Sequence, residues 1–187
     1  MTCRASAWRV RQALNLAFIG SDVLQRWGMT EQWVPLANPL SADLAIMRPS
    51  LLPGLIVALS HNRARQQERV RLFELGRTFR IGAEAAARKD APTETPSLAI
   101  VASGTAYAEQ WGEPSRTLDF HDLNGDLDAL IAWGGEPDRW AVHADGLPGW
   151  LHPGRGARVT RDGQTVGYFR APHATLTTIA RRRPEGA

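Results

Sequence analysis

The spacing of apolar residues changes from helical to alternating between Ser50 and Arg80, and this change constrains the fold more than any other feature. Residues 50–67 predict a helix with a cap at Ser50 and with Pro53 inside the first turn, where proline is tolerated. Its apolar face consists of Leu51, Leu52, Leu55, Ile56 and Leu59. Residues 70–80 alternate as a strand does, and Gly76 predicts a kink or bulge within that strand.

Other helices and strands are predicted on both sides of this unit. The predicted helices cover residues 4–16, 22–28 and 123–133, the last capped by Asp119 or Asp122 and ended by Gly134 and Gly135. The predicted strands cover residues 33–36, 97–104, 140–143, 157–161 and 164–169, the last two joined by an Asp162-Gly163 turn. Because these segments do not alternate regularly, we expect an α+β domain with a largely antiparallel sheet.

The length and composition set broad limits on the class of protein. A chain of 187 residues is long enough for one sizeable core, and it contains no apolar run of the roughly 20 residues that span a bilayer. We therefore expect a cytoplasmic protein without a membrane partner. A single cysteine, Cys3, excludes an internal disulfide framework. We divide the chain into an N-terminal helical segment (1–32), a core domain (33–170) and a frayed tail (171–187).

The common catalytic and metal-binding patterns are absent from the sequence. The five histidines lack zinc-site spacing, and there is neither a phosphate-binding glycine loop nor a nucleophile elbow. His121 and Asp122 are adjacent, but Asp122 is better explained as a helix cap than as half of an acid/base pair. The seven tryptophans lack the interleaved basic residues of a base-stacking platform, so we expect most of them to be core or interface anchors.

Residues 38–80 carry a specific resemblance. Several short motifs occur in the order found in the beta subunit of bacterial phenylalanyl-tRNA synthetase, and the chain resembles that family over roughly residues 33–169. The matching motifs are Asn-Pro-Leu-Ser at 38–41, Met-Arg at 47–48, Ser-Leu-Leu-Pro-Gly-Leu at 50–55, Asn-x-x-Arg at 62–65 and Leu-Phe-Glu-x-Gly-x-x-Phe at 72–79. Weaker matches follow at 107–111, 119–127 and 151–155.

The resemblance implies a class II aminoacyl-tRNA synthetase-like antiparallel sheet flanked by helices, in which residues 70–80 take the place of the motif 2 strand. In catalytic relatives, motif 2 arginine and acidic residues contact ATP, so Arg48, Glu74, Arg77 and Arg80 are candidate nucleotide ligands. The last, glycine-rich nucleotide motif is missing here, and the family's beta-subunit domain does not activate phenylalanine. We therefore favour a structural role for all four, with Arg48 and Glu74 as partners in a buried or interfacial ion pair.

By resemblance, the chain is a fragment of a ligase subunit whose role is assembly with the catalytic alpha subunit during aminoacylation of the phenylalanine tRNA. ATP and magnesium belong to the complete enzyme, and no catalytic, metal or editing residue is assigned to this fragment. Two alternatives remain open. One is a minimal ATP-binding, adenylate-forming domain that uses Arg48, Glu74 and Arg77. The other is a weak RNA-binding module that uses Arg63, Arg65, Arg69, Arg71 and residues 181–183.

Overall fold

Two β-sheets and three α-helices form the part of the chain that the structure, a computed structural model, describes: residues 10–29, 33–82, 85, 90–147, 156–170 and 175–180. The helices are α1 (Ser21–Arg26), α2 (Leu52–Ala64) and α3 (Phe120–Gly134). The strands are β1 (Arg11–Gln12), β2 (Phe18–Ile19), β3 (Val34–Pro35), β4 (Ile46–Met47), β5 (Val70–Arg80), β6 (Thr93–Ser103), β7 (Trp140–His143), β8 (Gly156–Arg161), β9 (Gln164–Arg170) and β10 (Thr175–Ala180). Short 3-10 helices cover Ala42–Leu44 and Pro137–Arg139.

The larger sheet has seven strands in the order β1-β5-β6-β10-β9-β8-β7, and the smaller has the order β2-β4-β3. Every neighbouring pair is antiparallel except β1 and β5. The longest pairing joins β5 to β6, from Val70 opposite Ser103 to Arg80 opposite Thr93. The predicted α+β class with a largely antiparallel sheet is therefore confirmed.

Helices α2 and α3 cover opposite faces of the seven-stranded sheet. Leu55 and Leu59 of α2 pack in one buried cluster with Leu72 of β5. Leu127 of α3 packs in a second cluster with Phe169 of β9. Paired residues in adjacent strands share a face, and the register through β10 and β6 places Phe169 on the face opposite Leu72. The core is therefore split between the two sides of the sheet.

Local sequence explains where these elements begin and end. The Ser50 hydroxyl accepts a hydrogen bond from the Leu52 amide at 3.2 Å, which satisfies a donor at the start of α2. Asp119 and Asp122 form a reciprocal capping box at the start of α3. Asp162 and Gly163 both have positive φ, 51° and 74°, as a two-residue hairpin turn of type I′ requires. The helices predicted at 22–28, 50–67 and 123–133 are confirmed as elements, although their bounds are 21–26, 52–64 and 120–134, and the predicted hairpin is confirmed. In the part of the chain described, no helix has the length and apolar content needed to cross a membrane.

The structure corrects two predictions near the chain ends. The predicted helix 4–16 is wrong over residues 10–16, which are not helical and include β1, while residues 4–9 lie outside the described residues. Within the predicted frayed tail, residues 175–180 are not frayed, because they form β10 between β6 and β9. The motif at 151–155 also lies outside the described residues. The division into segments 1–32, 33–170 and 171–187 stays a prediction.

Two further corrections concern β5 and β6. Of the kink or bulge predicted at Gly76, the bulge is wrong, because the β5–β6 register continues through Gly76 opposite Ser97 without a shift. β6 begins at Thr93, four residues before the start of the predicted strand 97–104. Pro96 lies inside this strand, opposite Arg77 of β5.

Candidate functional site

Arg48 and Glu74, two of the four candidate nucleotide ligands, form an ion pair inside the protein. Arg48 follows β4, and Glu74 lies in the middle of β5 on the face that α2 covers. Arg48 Nη1 is 2.6 Å from Glu74 Oε1, and the side chains are only 10% and 3% exposed. The predicted buried ion pair between these residues is therefore confirmed.

Asn15 completes this arrangement. Its side-chain amide donates to Glu74 Oε2 at 2.6 Å, and its backbone amide donates to Glu74 Oε1 at 3.4 Å. Both carboxylate oxygens of Glu74 are thus satisfied, as a buried charge requires. The Arg48 guanidinium also donates to the backbone oxygens of Asn15, Leu16 and Arg77, at 3.4, 3.4 and 3.0 Å. The pair therefore ties together the segment after β1, the segment after β4, and β5.

Gly76 makes room for this ion pair. A Cβ at position 76 would overlap Arg48 Nη2 and would lie 3.1 Å from Leu51 Cδ2. Gly54 has a similar role in α2, because a Cβ there would lie 3.0 Å from Asn15 Cβ. The glycine that the sequence suggested as a bulge is therefore a point of close side-chain approach.

Arg77 and Arg80 do not converge on the Arg48–Glu74 pair. The Arg77 side chain is 62% exposed and pairs with Glu94 of β6 at 3.2 Å. Alternation along β5 places it on the face opposite Glu74. Arg80 is exposed at the end of β5, six residues and roughly 20 Å along the strand from Glu74. The four candidates therefore do not surround one common space, and nucleotide binding by them stays a prediction.

Arg71, a member of the proposed RNA-binding set, is committed inside the protein. Its guanidinium pairs with Asp126 of α3 at 3.0 Å and donates to the Ala106 oxygen at 2.8 Å, and its side chain is 8% exposed. Burial raises the pKa of the Asp126 carboxyl, while the Arg71 charge acts in the opposite direction. Arg63 and Arg65 are exposed near the end of α2, and residues 181–183 lie outside the described residues.

A second polar cluster fixes the base of the segment between β6 and α3. Arg116 forms two hydrogen bonds to the Asp122 carboxylate, at 2.7 and 2.5 Å, and its guanidinium carbon lies 5.2 Å from the centre of the Tyr107 ring. The bond to Arg116 and the backbone bond to Asp119 lower the pKa of Asp122. The same segment contains a cavity of about 200 Å³ that Tyr107, Glu109, Glu113 and Arg116 help to line.

The residues described here do not assemble the polar groups that ATP and magnesium would need. In the described ranges, no three histidine, cysteine or carboxylate side chains lie close enough together to hold a metal ion. Glu74 is neutralised by Arg48, and Arg77 is paired with Glu94. We therefore assign no chemical step to either group in this chain.

Sequence reasoning missed Asn15 and found Arg48 and Glu74. Asn15 fell within the predicted helix 4–16, although Leu14, Asn15 and Leu16 already show the apolar-polar alternation of extended chain. Leu14 and Leu16 are exposed, while Asn15 points toward Glu74.

The tryptophans fall into a buried and an exposed group. Trp27 and Trp140 pack against the two core clusters, whereas Trp111 and Trp133 are exposed.

Comparisons with known proteins give one consistent result. The family model described as "Phenylalanyl tRNA synthetase beta chain CLM domain" matches residues 6–177, a longer range than the resemblance noted from the motifs. The phenylalanine–tRNA ligase beta subunit of Xanthomonas axonopodis pv. citri is 47% identical over 170 residues, which are 91% of this chain and 21% of that protein. The beta subunit of Xylella fastidiosa Temecula1 is 47% identical over 171 residues, with the same coverage. This chain thus spans about a fifth of the length of these relatives.

Proposed function

This chain belongs to the family of the phenylalanyl tRNA synthetase beta chain CLM domain, and on this premise we propose that it is a non-catalytic core domain of the beta subunit. Its role is to support assembly with the catalytic alpha subunit, so that the complete enzyme can attach phenylalanine to its tRNA. The observation that carries this proposal is the 47% identity to beta subunits over 91% of the chain.

The interior of the protein supports a structural role. A nucleotide-binding arginine must present its guanidinium to phosphate oxygens. Arg48 instead donates to Glu74 and to three backbone oxygens, and Glu74 accepts from Arg48 and Asn15. These hydrogen bonds engage both side chains in holding β5 to its neighbouring segments and not in holding a ligand.

We also propose a fold, a compartment and a division of ligand binding for this domain. β5 takes the place of the motif 2 strand in a class II synthetase-like fold, and residues 33–170 form the core domain. The domain works in the cytoplasm, and ATP, magnesium and tRNA are bound by the complete enzyme rather than by this chain alone.

Size-exclusion chromatography tests the assembly role. The chain and an alpha subunit from one of the Xanthomonas relatives, mixed at micromolar concentration, should elute together and earlier than either protein alone. Separate elution would remove the assembly proposal. Phenylalanine-dependent pyrophosphate exchange tests the adenylate-forming alternative independently, and we expect no exchange by the chain alone.

A further inference from the structure

The segment between β6 and α3 forms a loop with a firmly held base and an exposed tip. We call residues 105–117 the Trp111 loop. Its two ends pair through a Thr105–Thr117 bridge, and the Ala106 amide donates to the Arg116 oxygen at 2.9 Å. Arg71 holds the Ala106 oxygen from β5, and Arg116 is held by Asp122 of α3. The base of the loop is therefore fixed from both the sheet and the helix.

The tip of this loop presents an aromatic side chain to solvent. Trp111 is 103% exposed, so its side chain packs against no residue in the described part of the chain. Tryptophan contributes a large apolar area when buried and is among the residues that dominate binding energy at protein interfaces. Because the base is already ordered, docking of the tip requires little further loss of conformational freedom.

The charge of the tip selects the kind of partner. Residues 107–115 contain Glu109 and Glu113 and no lysine, arginine or histidine. The one cation that follows, Arg116, is engaged by Asp122. Glu109 and Glu113 both line the cavity of about 200 Å³ in the loop. A tip of this charge repels the phosphates of RNA and attracts a lysine or arginine side chain.

We propose that the Trp111 loop is a contact site for the alpha subunit, which receives Trp111 in an apolar pocket and places a basic side chain against Glu109 and Glu113. This inference rests on the proposed assembly function and adds the surface that carries it. The acidic tip favours a protein with a basic side chain over tRNA, because Glu109 and Glu113 would repel the phosphates of RNA.

Isothermal titration of the purified alpha subunit into this chain tests the inference. Trp111→Ala should weaken binding about tenfold or more, as loss of a central tryptophan does at other interfaces. Trp133→Ala is the matched control, because Trp133 is 87% exposed but lies near the end of α3 outside the loop, and it should change affinity by less than about twofold. The double variant Glu109→Gln/Glu113→Gln should weaken binding at low salt and reduce its salt dependence.

The outcomes separate this inference from the proposed function. Binding by the wild-type chain that Trp111→Ala leaves as tight as Trp133→Ala would overturn the inference and leave the assembly role intact. Absence of wild-type binding would overturn both. A Trp111-dependent affinity for tRNA with no effect on alpha-subunit binding would also overturn it. Because Trp111 packs against none of the described residues, the Trp111→Ala variant should have the thermal unfolding midpoint of the wild type. A matching midpoint excludes misfolding as the cause of weaker binding.

Discussion

Arg48 Nη1 and Glu74 Oε1 lie 2.6 Å apart in the interior, on segments that are 26 residues apart in sequence. Their contact joins the end of β4 to the middle of the longest strand pair in the fold. Removal of either partner leaves the other buried and uncompensated, whereas removal of both does not. This asymmetry makes the pair directly testable.

Arg48→Met and Glu74→Leu should each lower the free energy of unfolding by about 3–5 kcal/mol, because each leaves an unpaired buried charge. The double variant should be more stable than the sum of the two losses predicts. Urea unfolding of all four proteins gives the interaction energy. Glu94→Gln, which breaks the exposed pair with Arg77, is the control and should cost less than about 1 kcal/mol. Additive losses in the double variant would show that the two side chains act independently.

Gly76→Ala should destabilise the protein by about 1–3 kcal/mol, because the new methyl group overlaps the held guanidinium of Arg48. Gly125→Ala is its counterpart, since Gly125 lies inside α3 and a Cβ there meets no atom within 4 Å. That variant should stabilise the protein by about 0.5–1 kcal/mol. Thermal and urea unfolding would measure both changes. Equal effects of the two substitutions would contradict the close approach at Gly76.

Asp119→Ala should cost about 0.5–2 kcal/mol, because the Asp119 carboxylate accepts from the Asp122 amide at the start of α3. Asp128→Ala removes an exposed carboxylate from the same helix beyond its first turn, so it should change stability far less. Urea unfolding with helix content followed by circular dichroism would compare the two. A larger loss for Asp128→Ala would rule out the cap as the main contribution of Asp119.

Asp122 should contribute stability that disappears in acid. Arg116 lowers the pKa of Asp122 below its ordinary value of 3.8, so the contribution is fully present above pH 3.8 and is lost as the pH falls through the folded-state pKa. The stability difference between wild type and Asp122→Asn should therefore shrink in urea unfolding experiments below pH 3.8. A difference that is constant from pH 6 to roughly pH 2.5 would count against this interaction.

Asp126 should show the opposite dependence on pH. Burial raises its pKa above 3.8, so the folded protein binds the proton more tightly than the unfolded chain. The unfolding free energy of wild type minus that of Asp126→Asn should be highest below pH 3.8 and should fall as the pH rises through the folded-state pKa. The same pH series measures it. A rise over that range would mean that the Arg71 charge outweighs burial.

The sequence was sufficient where local rules act without competition. The apolar face of α2, the capping carboxylates of α3 and the Asp162-Gly163 turn each follow from neighbouring residues. The pairing of Arg48 with Glu74 was also predictable from the family's motifs, because a buried arginine and a buried glutamate each require a partner of opposite charge.

The sequence was insufficient where a distant segment decides the conformation. Residues 11 and 12 extend because they pair with Leu72 and Phe73 of β5, a partner that local spacing does not show. Gly76 reads as a bulge from β5 alone, and only the position of Arg48 explains it. Trp111 is fully exposed, so of the two roles expected for most tryptophans, core anchor or interface anchor, it can have only the second.

The position of β10 has a consequence for the order of events during synthesis. β10 follows every other described strand along the chain, yet it separates β6 from β9. A nascent chain that has just completed β9 therefore holds two half-sheets, each with an unpaired edge that can capture a strand of another molecule. These edges stay open until β10 has emerged from the ribosome and has inserted between β6 and β9. A delay in the emergence of β10 should therefore favour aggregation more than an equal delay in the emergence of α2 or α3.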